Sequence, residues 1–104
     1  MGFGLQSEIA DAMNTVPASL HSVTSAASAV LSGLVTAFDA NLRRLTLIPR
    51  TGKTVHWNVA AAASANTPLV PAGGISFSCT TAVANTIYVY SADAGPNLDV
   101  IQHV

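Results

Sequence analysis

The spacing of apolar residues changes at Asn41, and that change limits what the chain can fold into more than any single motif does. Before Asn41 they recur every three or four residues, the period of a helix. After it, short runs alternate with a period of two between clusters of Gly, Pro and Asn. The pattern predicts a mainly β chain, with a helical arm over residues 1–41 for oligomerisation or attachment and a small antiparallel β-sandwich or barrel over 42–104.

Within the arm, Leu5, Ile9, Ala12, Met13 and Val16 suggest a short first helix, and Pro17 suits the first position of a second. From there a heptad can be counted, with Leu20, Val23, Ala27, Val30, Leu34 and Ala37 at the two seam positions and Leu31 and Phe38 flanking them. The opposite face carries His21, Ser22, Ser25, Ser28 and Ser32. No formal charge falls between Ala12 and Phe38, a stretch long enough to span a bilayer. Its many Ser and Thr residues, with Gly33 and His21, make it a poor membrane span, so a seam between helices in an assembly is the reading taken.

In the second half the expected strands are Leu42–Pro49, Thr54–Val59, Gly74–Thr80, Thr86–Ser91 and Leu98–Val104, with the Ala-rich stretch 60–66 left as a loop or edge. Turn-forming residues at 49–52, 71–74 and 94–97 separate them. Alternation selects Leu45, Leu47, Val55, Trp57, Val59, Ile75, Phe77, Ile87, Val89, Leu98 and Val100 as core, and puts Tyr88 and Tyr90 together on the other face.

Charge bears on function. Nine residues of 104 are charged, 9%, against about 25% in an ordinary soluble domain. Little therefore opposes close association, and part of the surface is expected to be covered by other subunits. The net charge of −1, with only Arg43, Arg44, Arg50 and Lys53 near one another, argues against a nucleic-acid partner. Cys79, the sole cysteine, is in phase with Ile75 and Phe77 and reads as a small buried hydrophobe. The first residues lack the basic region of a secretory signal, so the chain is expected to stay in the cytoplasm where it is made.

Chemistry-bearing residues are scattered. Glu8 and Asp11 suit a helix start, Gly73-Gly74 lacks the Lys of a phosphate loop, and His21, His56 and His103 fall in three different elements. The chain is expected not to be an enzyme and to carry no cofactor or metal. Trp57, Tyr88 and Tyr90 could form a sugar-binding platform, although aromatic side chains of this kind are more often core or interface anchors.

Residues Leu45 to Gln102 carry a series of short motifs. They are Leu45-Thr46-Leu47, Thr54-Val55-His56-Trp57-Asn58, Thr67 to Phe77 around Pro71-Ala72-Gly73-Gly74, Ile87-Tyr88-Val89-Tyr90-Ser91-Ala92 and Leu98-Asp99-Val100-Ile101. The series resembles small β proteins of tailed-phage virions, although Trp57-Asn58-Val59 stands where that pattern usually has a glycine. The resemblance implies a capsid decoration or cement protein that stabilises the shell through subunit contacts. The low charge and the heptad lead to the expectation of a homo-oligomer, a trimer, and the resemblance adds the major capsid protein or other virion proteins as partners. A head fibre, spike, neck or tail component is the alternative, and a carbohydrate-binding β module a further one. The residues expected at interfaces are Leu20, Val23, Ala27, Val30, Leu34, Phe38, Trp57, Tyr88 and Tyr90.

Overall fold

A computed structural model describes residues 18–25, 28–35 and 37–104. It is mainly β, with two antiparallel sheets and two single-turn helices. In chain order the elements are β1 (Ala18–Val23), β2 (Ala29–Val30), α1 (Leu31–Leu34), β3 (Arg44–Pro49), β4 (His56–Val59), β5 (Ile75–Ser78), α2 (Thr81–Ala84), β6 (Ile87–Tyr90) and β7 (Leu98–His103). The first sheet has the order β1-β7-β3-β5 and the second β2-β6-β4.

The period-two pattern after Asn41 produces these strands directly. Leu45, Leu47 and Pro49 on β3 and Leu98, Val100 and Gln102 on β7 are buried at every second position, and Ile87 and Val89 do the same on β6. The inward side chains of both sheets meet in one core with Val55, Val70 and Cys79. The five expected strands are found, each shortened at one end or both. The Ala-rich stretch is irregular, with Ala63 tucked into the interior. One expected core residue is not in the core: Val59, at the end of edge strand β4, is 44% exposed. α2 was not anticipated; Thr80 caps it by accepting a hydrogen bond from the Val83 amide.

The helical seam is not what residues 18–25 and 28–34 form. Ala18–Val23 is an edge strand paired antiparallel with β7, Ala29–Val30 pairs with β6, and only Leu31–Leu34 is helical. Spacings of three and four fit two extended pieces as well as one helix when a turn lies between them, and Ser28, at a φ of 58°, supplies a backbone reversal that a continuous helix excludes. Alanine favours a helix, but intrinsic propensity is a weak preference that tertiary pairing overrides, and the ladder offered by β7, about eighty residues away, decides for strand. The first predicted helix, from Leu5 to Val16, and Ala27 of the seam lie outside the described residues.

Candidate interaction surface

Two buried amides fasten β1 and the segment after α1 to the rest. Asn97, fully buried, accepts at Oδ1 from the Ser25 amide (2.9 Å) and hydroxyl (3.0 Å), and its Nδ2 donates to the carbonyls of Ser25 (3.3 Å) and Asp93 (3.1 Å). Its donors and acceptor are thus all engaged, as burial requires. Gln102 accepts from the Asp39 amide at 2.8 Å and donates to Nε2 of His21 at 3.0 Å. Sequence reading treated Asn97 only as a turn residue. Its position beside Gly95-Pro96 hides the fact that the side chain turns inward.

Held in this way, β1 completes a four-stranded outer face whose side chains fall in three rows across the strands. The middle row is Leu20, Ile101, Thr46 and Ser76; one flanking row contains His103, Arg44 and Ser78, and the other Ser22, Asp99 and Ile48. Leu20 is 65% exposed, the most exposed large apolar side chain among the described residues. Polar contacts knit the rows together. Arg44 Nε donates to Ser76 Oγ at 2.7 Å, Thr46 donates to the same oxygen at 2.9 Å, and His103 Nε2 donates to Thr46 at 3.1 Å. At the other end Ser22 donates to Asp99 (3.0 Å), and Arg50 reaches both Ser22 and Asp99.

The second sheet presents a different outer face. Tyr88 lies between Val30 and Asn58, and Tyr90 opposite His56, with the His56 and Tyr90 rings edge-on at 5.9 Å. His56 Nδ1 donates to the Thr67 carbonyl at 2.7 Å, which holds the half-buried ring beside Tyr90. Trp57 belongs to the opposite side of this sheet, stacked on Phe77 at 5.5 Å, where its ring closes the gap between β4 and β5. Strand alternation therefore separates Trp57 from Tyr88 and Tyr90, and the three rings do not make one platform.

Of the other residues expected at interfaces, Val23 and Phe38 are buried in the core, Leu34 packs against it, and Val30 is half-buried beside Tyr88. Among the described seam residues, Leu20 is the large apolar side chain that stays mostly exposed, and the small Ala37 is exposed as well. A shallow cleft lined by Trp57, Asn58, Val59 and Pro68 marks the edge of β4. There the Trp57 amide bonds the Pro68 carbonyl at 2.9 Å, but proline has no N–H to return the bond, so pairing stops. Among the described residues no three His, Cys, Asp or Glu side chains gather at metal-binding distance, and no helix is long and apolar enough to cross a membrane. No family model, curated protein or solved structure matches this chain.

Proposed function

We propose that this chain is a structural protein of a tailed-phage virion, a capsid decoration or cement subunit that works as a small β-sandwich braced by contacts between subunits. The observation that carries the reading is the outer face of the four-stranded sheet, where exposed Leu20 and half-buried Ile101 and Ile48 sit among short hydroxyl side chains. Short side chains lose little rotamer freedom when covered, and the charges at this face, Arg44, Arg50 and Asp99, already have partners within it. The motif series from Leu45 to Gln102, which resembles virion β proteins, supports the particle as the place where such a face is covered.

A fibre, spike, neck or tail component would use the same contact chemistry and differ in copy number. The trimer expectation rested on the helical seam; with residues 18–25 and 28–34 folded as described, self-association rests on the sheet face instead. Quantitative mass spectrometry of purified particles of the encoding phage tests the proposal. A copy number comparable to that of the shell protein supports decoration, and a few copies per particle supports a vertex or tail part. Absence from intact particles contradicts a virion role.

A further inference from the structure

We infer that the outer face of the β1-β7-β3-β5 sheet is covered by the same face of a second copy, related by a two-fold axis that lies in the interface and runs across the strands through the middle row. The inference rests on the reading of the chain as a self-associating structural subunit and gives that reading a geometry.

Two identical faces can meet about an in-plane two-fold in two principal ways, and the residues distinguish them. With the axis along the strands, each row lies over itself with the strand order reversed. His103 then faces Arg44, setting nitrogen donors against each other, and Asp99 is pressed onto the aliphatic Ile48. With the axis across the strands, each strand lies over its own copy and the two flanking rows exchange. His103 then faces Asp99, Leu20, Ile101 and Thr46 each meet their own counterparts, and Arg44 lies over Ile48, where its aliphatic stem can rest on the isoleucine while the guanidinium comes diagonally within reach of the Asp99 carboxylate. The second arrangement buries the exposed leucine against leucine and gives each Asp99, already beside Arg50 at 3.6 Å, a cationic partner on both sides. It is charge-complementary where the first is not.

The size of the face sets the strength of the contact. Four strands about 4.8 Å apart and three rows of side chains give roughly 350 Å² per copy, less than half of the about 800 Å² per partner in a standard stable interface. The contact is therefore weak in isolation and holds where many copies are arrayed together.

Thiol cross-linking in the full-length chain tests it. Cys79 is buried, so a cysteine introduced by Thr46→Cys is the reactive thiol, and in the proposed arrangement it faces its own copy across the axis at the about 10 Å between packed sheets, a span for a short bismaleimide and too wide for a direct disulfide. A bismaleimide of that length added to concentrated Thr46→Cys should give a cross-linked dimer in at least tenfold higher yield than with Val83→Cys, whose side chain is exposed on α2. Adding Leu20→Asp to Thr46→Cys should abolish the excess. Equal yields from the two single variants overturn the proposal. So does cross-linking that appears only when Thr46→Cys and Ile101→Cys chains are mixed, since that places the axis along the strands. Incorporation of each variant into particles, read alongside, separates the two claims: chains that enter particles without a 46–46 cross-link refute this face and leave the virion role standing.

Discussion

The two edge strands of the larger sheet are held in different ways. β5 runs beside β3 with Ile75 and Phe77 turned toward the core, and the ring of Phe77 is covered by Trp57, so apolar contact fixes it. β1 commits a single large apolar side chain, Val23, to the core and sends Leu20 outward. Its attachment comes from the ladder with β7 and from the hydrogen bonds of Asn97, Gln102 and Asp99. Apolar burial is non-directional and tolerates shifts, whereas a buried amide network specifies one register and one position. The difference teaches that β1 is fixed in register by directional bonds, and that its local stability depends on a few polar atoms.

The largest expected effect comes from the shared centre of both arrangements. Leu47 on β3 is fully buried, and Leu47→Ala should cost about 2–5 kcal/mol. That is a large part of the 5–15 kcal/mol typical of a small domain. Thermal melting should show one cooperative transition, strongly lowered. If β1 frayed and the rest survived, the strands would not share a core.

Asn97→Ala separates the two kinds of attachment most sharply. It leaves the buried Ser25 groups without partners and should cost about 2–3 kcal/mol. Hydrogen exchange should show the β1 amides losing protection well before those of β3 and β5. Uniform loss would mean that Asn97 supports the whole fold and not the strand.

Gly74 tests the fixed side of the comparison. It sits at a φ of +86°, and an added Cβ would lie 2.9 Å from the Leu47 carbonyl oxygen, a backbone atom that cannot swing away. Gly74→Ala should therefore destabilise by about 1–3 kcal/mol through backbone strain and crowding. The effect should appear as lost protection in β5, with β1 unchanged.

The smallest effect is at Cys79, which follows β5. Burial pushes its thiol up, and Sγ donates to the Thr80 carbonyl at 3.3 Å, a bond that a serine hydroxyl can retain. Cys79→Ser should then cost about 1 kcal/mol. Because burial favours the protonated thiol in the folded chain, this contribution is complete below the ordinary thiol value of 9.0 and is lost as pH rises above it toward the raised folded value. The wild type should lose stability above that pH and the variant should not, as urea melts at two pH values would show. Rapid labelling of the native thiol at neutral pH would contradict its burial.

These contrasts also show which parts of the structure were legible in the sequence. In β7, Leu98, Val100 and Gln102 alternate with Asp99, Ile101 and His103, and alternation alone sets the inward face. In β6 it likewise places Tyr88 and Tyr90 together and away from the core. Residues 18–34 offered no comparable signal. Leu20, Val23, Val30 and Leu34 satisfy helical spacing, and the evidence against it is a turn at Ser28 and a partner strand at the far end of the chain. The interaction surface was legible only in part. Leu20 was singled out for the wrong neighbours, and Thr46, Asp99 and Ile101 gained meaning only when the register aligned three distant strands.

The central claim is that this chain works by covering the face that Leu20 exposes. Sedimentation equilibrium of the full-length chain beside Leu20→Asp tests it most directly, because a side chain 65% exposed can be replaced with little effect on folding, within about 0.5 kcal/mol. The account predicts a concentration-dependent rise in mass for the wild type, lost in the variant while the circular dichroism spectrum stays β. The same rise in both chains, or a wild type monomeric at every concentration, would contradict it.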